Sequence, residues 1–210
     1  NFRLTGRELS YQIENADTIC IVYGNEFIET INSIKGNLSN VKLFVCDGEG
    51  GESVLNYEDI IRGADPREPD VKVSLDDENV ILYTSGTTGV PKGAVLTHRN
   101  HLFNGYTMIM DYQLTHDDIV QVAPPLYHSA SLNGFLVTTV ILGATMVLHK
   151  QVIPRDMFQA IQDEKITKTW GPATMWRMLI NDPAVNEYDL SSTRLVVNGA
   201  MYMPAHMRKQ

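Results

Sequence analysis

Short apolar runs alternate with amphipathic stretches along most of the chain. Thr18-Ile-Cys-Ile-Val22 is strand-like, and Asn25 reads as the cap of a helix whose apolar positions Phe27, Ile28, Ile31 and Ile34 share one face. Val41-Lys-Leu-Phe-Val-Cys46 follows as a second strand, completing a βαβ unit. Further on, strands are predicted at 79–83, 94–96, 119–122, 144–148, 168–170 and 194–198. Helices are predicted from about 97, over 131–142, over 154–162 and over 173–181, the last with Met175, Met178 and Leu179 on one face. Strands and helices alternating at these spacings call for an α/β fold: a mainly parallel sheet with helices on both faces.

Composition narrows the class. Of 210 residues 43% are apolar and 20% charged, which excludes collagen-like and disordered chains. The net charge of −8 argues against nucleic-acid binding. Its distribution says more: residues 47–78 hold eleven acids against Arg62, Arg67 and Lys72, so this one segment accounts for the whole imbalance and reads as a solvated acidic connection. Cys20 and Cys46 lie in apolar runs and are expected to be buried, reduced thiols, which fits a cytoplasmic protein. The most apolar stretch, 132–148, is interrupted by polar residues and is shorter than a membrane span of roughly 20 residues.

Candidate chemistry concentrates in Tyr83-Thr-Ser-Gly-Thr-Thr-Gly-Val-Pro-Lys-Gly93. Gly86, Gly89 and Gly93 let main-chain N–H groups approach an anion, Ser85, Thr87 and Thr88 add hydroxyl donors, and Lys92 adds a point charge at the loop's exit. Such a loop at a strand end is suited to phosphate oxygens and to the charge that develops on a departing polyphosphate. It is not a Walker A loop, which has Gly, four residues, then Gly-Lys-Ser/Thr. His98 and His101 have metal-like spacing, but a solvated helix start accounts for them better.

These residues resemble the phosphate-binding signature of the adenylate-forming superfamily, which includes acyl-CoA synthetases, peptide-synthetase adenylation domains and beetle luciferases. The likeness continues through Ala94-Val-Leu-Thr-His-Arg-Asn100, Pro125-Leu-Tyr-His128 with Ser131-Leu132, Leu142-Gly-Ala-Thr145, Asp189-Leu-Ser-Ser-Thr-Arg194 and Asn198-Gly-Ala200. Arg3-Leu-Thr5 with Glu8-Leu9 resembles a segment found well inside such chains, so the 210 residues read as a partial N-terminal AMP-binding domain, cut at both ends. The Tyr-Gly-x-Thr-Glu stretch, the ribose-binding aspartate and the C-terminal domain with the catalytic lysine are not among these residues.

The resemblance implies a two-step reaction with ATP, Mg2+ and CoA, in which a small carboxylic acid, first of all a fatty acid, becomes an acyl-adenylate and then a thioester. The fragment alone is expected not to turn over. It implies that Thr84, Ser85, Gly86, Thr87, Thr88, Gly89 and Lys92 hold the phosphates, with Thr87 and Thr88 also near the metal. Lys92, Thr87, Thr88 and His128 are the candidate catalytic groups. Asn198, Gly199 and Ala200 would line the adenine and ribose pocket; Tyr127, His128, Trp170, Gly171 and Met175 would border the acid. His128, Trp170 and Met175 read equally as ordinary core residues. Two positions depart from the family: Asn198 where two glycines are usual, and Ser131 where a glycine is usual. The competing readings are a non-catalytic nucleotide-binding or scaffold module, an adenylation domain for an amino or aryl acid, and an unrelated phosphotransferase. The last would need Asp76, Asp77 or Glu78 near the loop, and these should lie at the far end of the preceding strand.

Overall fold

The computed structural model describes residues 1–51, 53–84 and 89–204, in two compact units, Asn1–Leu96 and Thr97–Gln210.

The first unit opens with helix α1 (Gly6–Asn15), whose start is fixed by a capping box: Thr5 Oγ1 accepts from the Glu8 N–H and Glu8 accepts from the Thr5 N–H. Strand β1 (Cys20–Gly24), helix α2 (Ile28–Lys35) and strand β2 (Leu43–Asp47) then form the expected parallel βαβ unit, with Ile21 opposite Phe44 and Tyr23 opposite Cys46. Ile13, Tyr23, Ile31, Ile34, Leu38, Phe44 and Cys46 make its core. Two expectations fail here. Cys20 is exposed, because strand alternation turns Ile21 and Tyr23 inward and Cys20 and Val22 outward. Asn25 does not cap α2; it begins a 3-10 turn (Asn25–Phe27), and the helix starts behind Phe27 without a side-chain cap.

The acidic connection is more ordered than expected. A two-residue strand β3 (Leu55–Asn56) adds in parallel to β2, and Asn56 caps helix α3 (Tyr57–Gly63) by accepting from the Asp59 N–H at 3.0 Å. Residues 64–77 run outside regular elements, fully exposed. Strands β4 (Glu78–Thr84) and β5 (Lys92–Thr97) then pair as a separate two-stranded sheet.

In the second unit Thr97 caps helix α4 (His98–Asp111) through a capping box with Asn100. His101 is buried, not solvated, because it shares with Gly105 the inward stripe of that helix. Four parallel strands follow: β6 (Ile119–Val122), β7 (Thr145–Leu148), β8 (Lys168–Pro172) and β9 (Leu195–Gly199), in the order β7-β6-β8-β9. The chain passes from β6 to β7 on one side, then crosses to β8 on the other, so the strand order reverses between β6 and β8. In open α/β sheets that reversal opens a crevice at the carboxyl ends of the strands.

The segment between β6 and β7, expected as one α-helix, is a π-helical stretch (Ala130–Leu136) followed by α5 (Val137–Leu142). Apolar spacing over so few turns does not separate the two windings. The wider winding buries Ser131, Asn133, Gly134 and Phe135. One face of the sheet packs Val120, Val122 and Trp170 against Phe135, with Met108 and Tyr112 of the α4 region alongside. The other face carries α6 (Pro154–Glu164) and α7 (Ala173–Asn181), which bury Met157, Phe158, Met175, Trp176 and Leu179. Met178 is exposed: the buried stripe of α7 runs through Ala173, Met175, Trp176 and Leu179, and helical spacing sets Met178 to one side of it.

Candidate functional site

In the first unit the structure builds a frame for the candidate phosphate loop. Thr84 ends β4 and Lys92 begins β5, both exposed, and the Thr84 hydroxyl donates to the Lys92 carbonyl at the outer limit of 3.5 Å. Gly89 takes a φ of +83°, a left-handed conformation that glycine adopts without strain. Ser85, Gly86, Thr87 and Thr88 lie outside the described residues. The flanks of the loop are held by α1. Tyr11 donates to the Pro91 carbonyl at 3.0 Å, and Tyr83 donates to Asn15 Oδ1 at 2.7 Å and weakly to the Gln12 carbonyl. The two tyrosine rings meet edge to face, 6.5 Å apart. Burial, with Tyr11 and Asp17 adding to it, pushes the Tyr83 phenol upward, so it stays a donor at neutral pH. Asp76 and Asp77 precede β4 and Glu78 begins it, so the acids stand at the strand's other end from the loop, as expected.

In the second unit the candidate acid-binding residues sit where β6 and β8 end. Val122 pairs with Trp170, so the chain beyond each strand emerges at the same edge. Leaving β6, the chain makes a tight turn. The His128 N–H donates to the Pro125 carbonyl, and the Ser131 and Leu132 N–H groups both donate to the His128 carbonyl, each at 3.1 Å. Tyr127 and His128 occupy the turn, half-buried and exposed respectively, with ring centroids 4.6 Å apart. Leu126 anchors it against the Phe135 and Trp170 cluster.

The three residues named for the pocket wall are divided by the sheet. Trp170 stacks on Phe135 at 5.1 Å with the rings almost parallel, and Phe135 stacks in turn on Tyr112. Met175 lies in the opposite core, folded against Gly171 so closely that a Cβ there would stand 2.0 Å from the methionine methyl. Gly171 also accepts the Trp176 indole N–H at 2.9 Å. Gly171 and Met175 therefore come together, and Trp170 and Met175 do not share a wall.

At the end of β9 the turn Asn198-Gly199-Ala200 closes on itself. The Asn198 amide donates to the Met201 carbonyl at 3.0 Å, the Met201 N–H donates to the Gly199 carbonyl, and Ala200 is held at a φ of +63°. One Asn198 amide hydrogen thus serves the turn itself, while Asn198 also borders a cavity of about 630 Å³ walled by Phe158, Trp176, Val196 and Met203.

Two polar networks escaped the sequence reading. At the amino edge, Asp118 receives both an Arg194 Nη2 contact at 2.7 Å and the Thr167 hydroxyl at 2.6 Å, and the Thr115 N–H at 2.8 Å. Lys168 stands 3.5 Å away and donates to the Tyr112 and Gln113 carbonyls. Burial alone would raise the Asp118 carboxyl, yet these donors and the Lys168 charge hold it below its ordinary range. Behind β6, Gln121 is wholly buried: its amide donates to the Met157 carbonyl, its oxygen accepts from the Thr169 hydroxyl, and its Nε2 lies 3.1 Å from His149 Nε2. An amide nitrogen can only donate, so His149 Nε2 accepts and the imidazole is neutral. Burial depresses its pKa, partly opposed by Asp156. A lone polar residue in the apolar run 119–122 was the available signal for this second network.

Among the described residues no group of three or more His, Cys, Asp or Glu side chains is placed to hold a metal, and no helix is long and apolar enough to cross a membrane.

The sequence profile of the AMP-binding enzyme family matches residues 1–210. The feruloyl-CoA synthase of Amycolatopsis sp. is 32% identical over 208 residues, covering 99% of this chain and 39% of the relative. The indoleacetate–CoA ligase of Aromatoleum aromaticum is 30% identical, covering all of this chain and 41% of the relative. Among solved structures, ATP-bound MatB from Rhodopseudomonas palustris superposes with a TM-score of 0.84 at 26% identity, over all of this chain and 40% of that one. The chain thus spans about two fifths of the length of these relatives.

Proposed function

The chain belongs to the AMP-binding enzyme family, and from that premise we propose that the protein carrying it is an AMP-forming acid–thiol ligase acting on an aryl carboxylic acid. A carboxylate oxygen attacks the α-phosphorus of ATP, pyrophosphate leaves, and the acyl-adenylate remains. The CoA thiol then attacks the acyl carbon, forming the thioester as the bond to AMP breaks and the thiol proton is released. The observation that carries this reading is the match of the family profile to the whole chain, around a strand-loop-strand frame with Gly89 left-handed and Lys92 exposed at the exit.

On this reading Thr84, Gly89 and Lys92, with Ser85, Gly86, Thr87 and Thr88 outside the described residues, hold the β- and γ-phosphates. Main-chain N–H groups and the lysine stabilise the charge that collects on pyrophosphate as it departs. Hydroxyl oxygens such as those of Thr87 and Thr88 are hard donors that suit the magnesium ion accompanying ATP, which when bound screens phosphate charge. Tyr127 and His128 face the carboxylate, and the Asn198-Gly199-Ala200 turn supports the nucleotide. Aryl acids are preferred over fatty acids because feruloyl- and indoleacetate-CoA ligases stand among the relatives. The reaction class and its cosubstrates fit a cytoplasmic enzyme.

Pyrophosphate exchange by the full-length protein with aryl, fatty and amino acids tests the proposal. Exchange with aryl acids is expected, lowered about a hundredfold or more by Lys92→Ala. Exchange with amino acids alone would overturn it, and exchange with fatty acids alone would overturn the substrate class.

A further inference from the structure

The turn that presents Tyr127 and His128 is closed by one side chain buried beneath it. Ser131 is 0% exposed, and its hydroxyl donates to the Pro124 carbonyl at 2.9 Å. Pro124 and Pro125 have no N–H to offer, so their carbonyls are the only polar main-chain groups with which this end of the turn can be tied. Pro125 is tied by the His128 N–H, and Pro124 by Ser131. The Ser131 N–H returns to the His128 carbonyl, so one residue grips the turn at its base and just past its apex. A second tie follows one helical step on: the Asn133 amide donates to Ser129 Oγ at 3.1 Å, while the Asn133 carbonyl accepts from Asn104 of α4. The π-helical winding makes this possible, because it turns both Ser131 and Asn133 inward.

We propose that Ser131 is a positioning residue for acid recognition: its hydroxyl, locked on the Pro124 carbonyl, sets where Tyr127 and His128 stand. Removing the hydroxyl leaves the buried Pro124 carbonyl without this donor and frees the turn to shift. The inference rests on the acid-activating reading above. It adds that orientation at the acid site depends on a hydroxyl that never touches the substrate.

The test compares the full-length protein with its Ser131→Ala variant in pyrophosphate exchange, measuring KM for the acid and for ATP separately, together with thermal melting. Ser131→Gly takes the place of the alanine variant should that variant not fold. The expected result is a KM for the acid raised about tenfold, equivalent to about 1.4 kcal/mol, with KM for ATP unchanged. Equal rises in both constants, or no change in either, would overturn the proposal, since a merely structural serine has no reason to discriminate between substrates. If the wild-type protein exchanges with no carboxylic acid, the ligase reading itself falls. The serine is then judged on the His128 imidazole resonances: displacement in Ser131→Ala upholds its positioning role, and coincidence with wild type refutes it.

Discussion

The two ends of the four-stranded sheet are made by the same strands and treat polar groups in opposite ways. At the amino edge Asp118, Lys168, Thr115, Thr167 and Arg194 satisfy one another. At the carboxyl edge His128 and Asn198 are exposed, Ala200 is held at a positive φ, and the buried Trp170 Nε1 has no hydrogen-bond partner among the described residues. A charge spent on holding strands together is not available to a ligand. The amino edge has closed its polar inventory, whereas the carboxyl edge, at the strand-order reversal, keeps groups and backbone strain of the kind that mark ligand sites.

The largest test of this contrast is Asp118→Ala, which leaves Lys168 buried without its anionic partner. A loss of about 3–5 kcal/mol in urea denaturation is expected, and a loss no larger than that of an ordinary surface change would show that the clasp is not what holds this edge. Next comes Gly171→Ala at the other edge. The added methyl would overlap Met175, so the side chain must move, and a cost of about 1–3 kcal/mol is expected. The double change Gly171→Ala with Met175→Ala should recover part of it if the overlap is the cause.

The pH dependence should separate the edges further. His149, just beyond β7, has a pKa held below 6.5 in the folded chain by burial, so the unfolded chain takes up its proton first and stability falls as pH drops from about 6.5. His101 acts in the same direction, its pKa lowered by burial and by His98. Asp118 works at a lower window. Its carboxyl titrates below 3.8 when folded, so its contribution is complete above that value and is lost as pH falls through its folded pKa. Melting curves should therefore show two declines, the upper one reduced in His149→Gln, which keeps an acceptor for Gln121, and the lower one reduced in Asp118→Asn, with Glu8, Asp65 and Asp189 supplying the rest. The smallest effect is Ala200→Gly. Relief of the left-handed alanine, offset by the flexibility glycine adds to the unfolded chain, should raise stability by about 0.5 kcal/mol in the same melts.

What the sequence disclosed, and what it hid, follows the range of the forces involved. The βαβ start, the parallel strands and the Thr97 helix start were legible because periodicity and capping are local. The strands that flank the candidate phosphate loop were legible for the same reason, as β4 and β5. The Tyr11 bond to Pro91 spans 80 positions and the Arg194 bond to Asp118 spans 76, and neither leaves a trace in local spacing. The assignment of Trp170 and Met175 to one wall missed for a related reason. Adjacent strand and helix residues can be close in sequence and still be separated by the sheet they belong to. Asn198 and Ser131, both noted as departures from glycine and Asn198 also as a pocket residue, are the residues whose side chains tie their turns.

The stacking of Trp170 on Phe135 has an optical consequence. The chain holds two tryptophans; Trp176 gives its indole hydrogen to a carbonyl, while the Trp170 indole hydrogen has no acceptor among the described residues and its ring stacks on Phe135, buried from water. In Trp176→Phe the remaining emission should lie toward the blue. Because Leu126 of the Tyr127 turn packs on the same cluster, that emission makes β8 a built-in lamp for watching the turn move, with no dye attached.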